Sequence, residues 1–199
     1  MKTITDIAAL EVLYDAAVPT SLKKVVPGLT PLYRQWIEAA RFVVISTVGP
    51  EGTDASPRGD DGPVVRIVDD RTLMMPDWRG NNRIDSLRNI VRDGRVSLMF
   101  MVPGAENVVR INGTAVLTDD PDVTQSFEQR GKHPKSVIVM TTGEVYFQCA
   151  KAIMRAGLWT RNDAEGLPKA GDFITDVDPA FDGKTYDAEY PVKAPERMW

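Results

Sequence analysis

Three arginines stand out by their neighbours: Arg58 in ASPRGDDG, and Arg79 and Arg83 on either side of Gly80-Asn81-Asn82 in PDWRGNNRIDSLRNIV. Arginine's planar fork matches the oxygens of a phosphate, and the free N–H groups at a helix start form a ready anion site. The apolar spacing predicts a helix over 82–92, with Ile84, Leu87, Ile90 and Val91 on one face. Arg83 then falls in its first turn, where a cation opposes the positive end of the macrodipole. A bound dianion reverses that penalty. The alternative is that Asn81 or Asn82 caps the helix and Arg83 pairs with an acid. From Ala55 to Arg95 the chain holds eight arginines, no lysine and seven aspartates. Most of these describe a mutually paired, solvated surface, where each exposed pair contributes only ~0–1 kcal/mol.

The segment feeding this loop, TLMMPDW, reads as a strand that must end at or near Pro76, because proline cannot donate to a ladder. Backbone groups freed there can face a planar ligand, or the proline simply ends an edge strand. In NVVRINGTAVLT, Arg110, Asn112 and Thr114 share one face and Val109, Ile111, Gly113 and Ala115 the other. FQCAKAIMRAGLW sets Gln148, Cys149 and Lys151 at a strand-to-helix junction followed by Trp159, either a second clamp or plain packing. Other chemistry lacks its fingerprint: GxGxxG, GxxxxGK[ST] and GxSxG are all missing. The one histidine, His133 in the loop GKHPK, cannot build a common zinc site with one cysteine. Cys149, with no nearby histidine, is expected to be buried and inert.

Positioning these residues falls to many short strands. FVVIST, ASPRG, PVVRIVD, TLMMP, RVSLMFMV, VVRINGTAVLT, SVIVM and VYFQC are rich in β-branched or aromatic residues and are separated by turn chemistry such as GPEG, DD and PGAEN. Helices are expected at 3–17, capped by Thr3 or Asp6; at 30–40, with Thr30 as cap and Pro31 at the first position; at 82–92; at 120–129, capped by Asp120; and at 150–157. So few crossovers favour an antiparallel sheet closed as a barrel: a mainly β fold with peripheral helices. The domain reading is a helical extension over 1–30, a barrel over 31–160, and an irregular tail over 161–199. That tail carries Phe173, Ile174, Phe181, Tyr186, Tyr190 and Trp199, so it is expected to pack on the barrel or on a partner subunit.

A chain of 199 residues, 43% hydrophobic and 26% charged, fits one globular core. Its net charge of −4 argues against a general nucleic-acid surface while leaving room for a local basic pocket. MKTITDIAALEVLYDAAVP has acids through its apolar part, unlike a signal peptide, and no run reaches the ~20 apolar residues of a membrane span. With one cysteine and eight methionines, a cytoplasmic setting is expected.

In order, FVVISTVGPEGTDASPRGD, VRIVDDRTLMMPDWRGNNRIDSLRNI, RVSLMFMVPG, VRINGTA and FQCAKAIMRAGLW resemble the pyridoxamine 5′-phosphate oxidase-like family of FMN-binding split-barrel proteins, over roughly Pro31 to Thr160. The resemblance implies an antiparallel split β-barrel and a homodimer with FMN at the subunit interface. Carried over, Arg58, Asn82 and Arg83 are phosphate ligands. Met75, Pro76 and Asp77 edge the strand lining the isoalloxazine ring, with Arg79 close by. Gln148, Lys151 and Trp159 reach the flavin from the second subunit, and Arg110 is a further contact. The implied activity is hydride transfer through FMN to or from a small molecule, with a nicotinamide donor as one option. A flavin carrier or redox sensor without turnover, or a barrel holding haem or a deazaflavin, are the alternatives. The chain departs from authentic pyridoxamine phosphate oxidases at its carboxy-terminal stretch, YPVKAPERMW, which lacks their Arg-and-His-rich substrate grip. The cofactor expectation survives this departure, and the substrate expectation does not.

Overall fold

A computed structural model describes all 199 residues. The alternation of apolar and polar residues builds β1 (Phe42–Gly49), which buries Val43, Ile45 and Thr47 on one face. β2 (Gly52–Gly59) folds back on it, followed by the short β3 (Arg66–Ile67) and β4 (Thr72–Pro76). β5 (Arg95–Met101), β6 (Val108–Thr118) and β7 (Val137–Gln148) complete one seven-stranded sheet. Every pairing is antiparallel, and the order is β2-β1-β5-β6-β7-β4-β3.

The sheet is not flat. Ile45 of β1, Leu98 of β5, Ile138 and Met140 of β7, and Leu73 and Met75 of β4 line one small internal void and belong to one core. Strands β1 and β4 have three others between them in the sheet order. Their inward side chains meet only if the sheet curls on itself. The curl leaves β2 and β4 facing each other across a seam that backbone hydrogen bonds do not close.

Eight helices surround the sheet: α1 (Ile7–Glu11), α2 (Pro19–Lys23), α3 (Pro31–Ala39), α4 (Asp85–Arg92), α5 (Pro121–Thr124), α6 (Lys151–Ala156), α7 (Ala170–Val177) and α8 (Gly183–Lys193). α3 starts as expected, with the Thr30 hydroxyl accepting from the Tyr33 N–H and Pro31 at its first position. α4 lies on β1 and also meets β2 and β6. It buries Leu87 and Ile90 together with Ser86 and Asn89, while Val91 faces solvent. The two polar residues are tolerated because Ser86 donates to the Asp54 carboxylate and Asn89 Nδ2 donates to Thr47 Oγ1 at 3.1 Å.

Several expectations are corrected. The fold is mixed α and β rather than mainly β, because the tail is helical instead of irregular. α7 and α8 pack through Gly171 and Gly183, where a side chain on either would run into the other's backbone. Asp182 caps α8 by accepting from the Thr185 N–H, a local signal that the Pro, Gly and Asp content concealed. The helix expected over 3–17 shortens to α1, which buries no residue, so packing does not lengthen it; α2 follows beyond it. The helix expected over 120–129 stops at Thr124.

SVIVM and VYFQC form one strand, β7. Gly143 is skipped in the register between Gly113 and Asn112 of β6, leaving a bulge there. A side chain at Gly113 would fall 2.1 Å from the Thr141 carbonyl oxygen, so the bulge demands glycine at that position. Cys149 is exposed rather than buried.

Candidate functional site

At the seam, the chain leaving β2 faces the chain leaving β4. Arg58, next to the last residue of β2, donates through Nη1 to the Asp77 carboxylate just beyond Pro76. Both side chains are mostly buried, and Arg58 Nε is fully buried with no acceptor. An orphaned guanidinium N–H in such a place suits a ligand oxygen. Two residues on, the Asp60 carboxylate accepts from Trp78 Nε1 at 2.6 Å and Gln129 Nε2 at 3.0 Å, so it ties the same two chain segments together.

β4 is held firmly on one side only. Its register with β7 runs from Thr72 to Pro76, and the Asp77 N–H still donates to the Ser136 carbonyl at 3.0 Å. β3 covers only Leu73 and Met74 on the other side, which leaves Met75 and Pro76 without a strand partner there. The turn before β4 is pinned by Asp69, whose Oδ1 accepts from the N–H groups of Arg71 and Thr72, each at 2.7 Å. The Arg71 N–H in particular holds this carboxyl below the usual carboxylate range.

The loop from Arg79 to Ile84 departs from the expected helix start. α4 begins at Asp85, so Arg83 lies ahead of the first turn and not within it. Asn82 and Ile84 both adopt left-handed backbone, with φ of 61° and 55°. Asn81 Oδ1 accepts from the Arg83 N–H at 3.0 Å, and no side chain caps the helix. Arg83 Nε donates to Asp85 at 2.9 Å across the surface. The acid takes the position that the macrodipole favours, and the arginine gains a partner.

Two adjoining clefts open along this seam. One, of about 520 Å³, is lined by Ser56, Arg58, Met75, Pro76, Arg83 and Ser86 among others. The second, of about 640 Å³, is lined by Asp77, Asn82, Lys132, His133, Lys135 and Trp199 among others, and shares Arg58, Trp78 and Arg79 with the first. Volumes of this size suit a cofactor-sized ligand. Sequence reasoning missed Asp60, Trp78, Lys132, Lys135 and Trp199. The turn signals in GKHPK were visible, but nothing in the sequence indicated that this loop returns to the seam.

Of the expected site residues, Arg58, Met75, Pro76, Asp77, Arg79, Asn82 and Arg83 thus come together at the seam. Arg110, Gln148, Lys151 and Trp159 do not line these clefts. Arg110 Nη1 donates to Gln148 Oε1 at 3.5 Å and its guanidinium lies over the Tyr146 ring. Lys151 opens α6 close by in the chain, and Trp159 Nε1 donates to the Ala105 carbonyl at 2.8 Å. Arg110 stands in register with Met99 of β5, Val44 of β1 and Pro57 of β2, so it lies only three strands, roughly 14 Å, from the residue next to Arg58. The two differ in face: Arg58 shares the inner face with Val43, Phe100 and Val109, while Arg110, and Gln148 paired with Val108, point to the outer one. Within one chain the two groups are therefore separate.

A curled seven-stranded antiparallel sheet with an open, cationic seam defines the split-barrel class. Residues 29–149 match the family model described as pyridoxamine 5′-phosphate oxidase, which covers more than half of the sequence. The chain belongs to the pyridoxamine 5′-phosphate oxidase-like FMN-binding split-barrel family. The fold is similar to that of a variant of HupZ from Group A Streptococcus, with a TM-score of 0.50 and 18% identity over 60% of this chain and 98% of that one. An FMN-binding protein from Syntrophomonas wolfei matches at a TM-score of 0.44 and 11% identity, over 72% and 97% of the two chains. No curated protein matches the sequence. No helix is long and apolar enough to cross a membrane.

Proposed function

We propose that this protein is an FMN-dependent oxidoreductase that works as a homodimer, each flavin lying between the seam of one protomer and the Arg110–Trp159 half-site of its partner. The observation that carries the reading is the placement of Arg58 and of Arg110 with Gln148 on opposite faces of the sheet. Residues that face away from each other in one chain serve one ligand only if a second copy supplies the other half.

The residues at the seam fit a flavin phosphate. Arg58 has a buried N–H without an acceptor, Arg79 has no acid partner, and Asn82 and Arg83 stand at the mouth of α4. A phosphomonoester carries close to two negative charges at neutral pH, which such groups neutralise. The free edge of β4 at Met75 and Pro76 offers backbone groups to a planar ring and an apolar wall behind it. FMN, when bound, supplies hydride chemistry at its ring. The protein's part is to hold the phosphate, orient the ring along β4, and keep positive charge near it through Arg79.

The test is a visible spectrum of the purified protein, mass spectrometry of any released chromophore, and titration of the flavin-free protein with FMN. A flavin spectrum and a released mass matching FMN support the reading, as does bleaching by NADH or NADPH. A colourless protein that takes up no FMN overturns it.

A further inference from the structure

The larger cleft holds two lysines, Lys132 and Lys135, that the flavin reading does not use. In a chain of net charge −4, its lining includes Arg58, Arg79, Lys132 and Lys135 against the single acid Asp77. Asp77 is already spent on Arg58. None of Arg79, Lys132 and Lys135 forms an ion pair with any acid of the chain. The smaller cleft is different, because Asp54, Asp60 and Asp85 balance Arg58, Arg79 and Arg83 there.

The two lysines sit on a loop built to stay in place. Gln129 and Lys132 exchange backbone hydrogen bonds of 3.0 Å around Arg130 and Gly131, whose φ values of 52° and 75° make a tight left-handed turn. A non-glycine residue held at such an angle stores strain, and its surroundings must compensate. The Arg130 guanidinium lies 4.4 Å from the centre of the Trp199 ring. His133 Nδ1 is 2.6 Å from the Phe127 carbonyl oxygen, which can only accept, so that nitrogen carries a hydrogen. Pro134 then stiffens the approach to Lys135.

Lys132 is fixed as well. Its ammonium donates to the main-chain oxygens of Glu196 at 3.2 Å and Trp199 at 3.0 Å. Three N–H groups less two leaves one donor free on an immobilised charge. Trp199 adds a flat apolar wall to the same cleft.

From this cleft we infer a second anion subsite, formed by Lys132 and Lys135 beside the flavin phosphate site, which binds the carboxylate or phosphate group of the reacting small molecule while Trp199 packs on its body. The inference rests on the flavin reading for the word second, since FMN is assigned to the smaller cleft through Arg83, Met75 and Pro76.

The experiment is isothermal titration of the FMN-loaded full chain with inorganic phosphate and, separately, with malonate, at fixed ionic strength. The wild type is expected to bind at least one of them. The stronger of the two tells a phosphate-bearing substrate from a carboxylate. Lys132→Gln/Lys135→Gln is expected to weaken that binding tenfold or more while FMN affinity stays within twofold. Absence of binding by the loaded wild type overturns the subsite. So does a double variant that loses FMN affinity by the same factor as the probe anion, because the lysines would then hold the flavin phosphate. Should the protein take up no FMN, the flavin reading fails. In that case lysine-dependent anion binding by the flavin-free protein sustains the subsite alone, and its absence there overturns the subsite too.

Discussion

Arg58 and Asp77 form an ion pair between the ends of β2 and β4, strands separated by four others in the sheet. Laid flat, these strands would be about 24 Å apart. The contact is therefore a product of the curl, and it lies at the point where the candidate flavin site opens. Arg58→Ala leaves the mostly buried Asp77 carboxylate without its partner and is expected to cost about 1–3 kcal/mol in urea unfolding. Asp77→Asn removes the only acid of the larger cleft and frees the guanidinium for a ligand. Its expected effect is several-fold tighter FMN binding with a steeper salt dependence. Weaker binding with no change in salt dependence would remove Arg58 from the phosphate site.

Arg83 and Arg92 flank the same helix and each has one surface acid, Asp85 and Glu51 respectively. Only Arg83 lines a cleft. A charge-assisted phosphate contact contributes ~1.5–3 kcal/mol, and an exposed pair little. Arg83→Ala is expected to weaken FMN binding tenfold or more by fluorescence titration, and Arg92→Ala to leave it within twofold. Equal losses in the two variants would sink the phosphate assignment.

The two half-sites allow a complementation test. Arg58→Ala damages the seam half and Lys151→Ala the other. Each homodimer is expected to bind FMN poorly. Unfolded together and refolded, the two variants form mixed dimers with one intact site, restoring about a quarter of all sites. No recovery on mixing, with mixed dimers verified, would contradict a shared site.

Gly113→Ala is expected to be the most damaging of the strand glycine substitutions. The new methyl group would lie 2.1 Å from the Thr141 carbonyl, whereas at Gly143 the nearest atom is 3.3 Å away. Overpacking of backbone costs about 1–3 kcal/mol, readable as a lower midpoint in thermal unfolding. Gly143→Ala should lose less than half as much.

Asp69 gives the β4 turn a dependence on acid. Its carboxyl lies below the ordinary 3.8 in the folded chain, chiefly through the Arg71 N–H. A lowered folded value means that its contribution is complete above the unfolded value and is lost as the pH falls through the folded one. The gap in urea midpoint between wild type and Asp69→Asn should therefore be constant near neutrality and shrink below 3.8. A gap that persists at about pH 2 would assign the effect to geometry and not to charge.

Much of the barrel was legible in the sequence because its signals are local. The alternation in FVVIST and RVSLMFMV, the proline that ends TLMMP, and the Thr30-Pro31 helix start each depend on a few neighbouring residues, and each holds in the structure. Arg58, Arg79 and Arg83 stand out in the sequence as a candidate anion motif for the same reason, and the fold brings them to one seam.

What the tertiary structure alone decided is which distant segments meet. Asp77 meets Arg58 because the sheet curls, and the GKHPK loop reaches the same cleft because β7 begins beside Pro76. Trp199 arrives after two helices whose Pro, Gly and Asp content conceals them in the sequence. The same geometry divides the expected residues, turning Arg110 and Gln148 to the outer face of the sheet, away from Arg58. Residue types determine what chemistry the side chains can do. Their convergence depends on strand register and curvature, which are set by the burial of the whole core and are written in no single stretch of sequence.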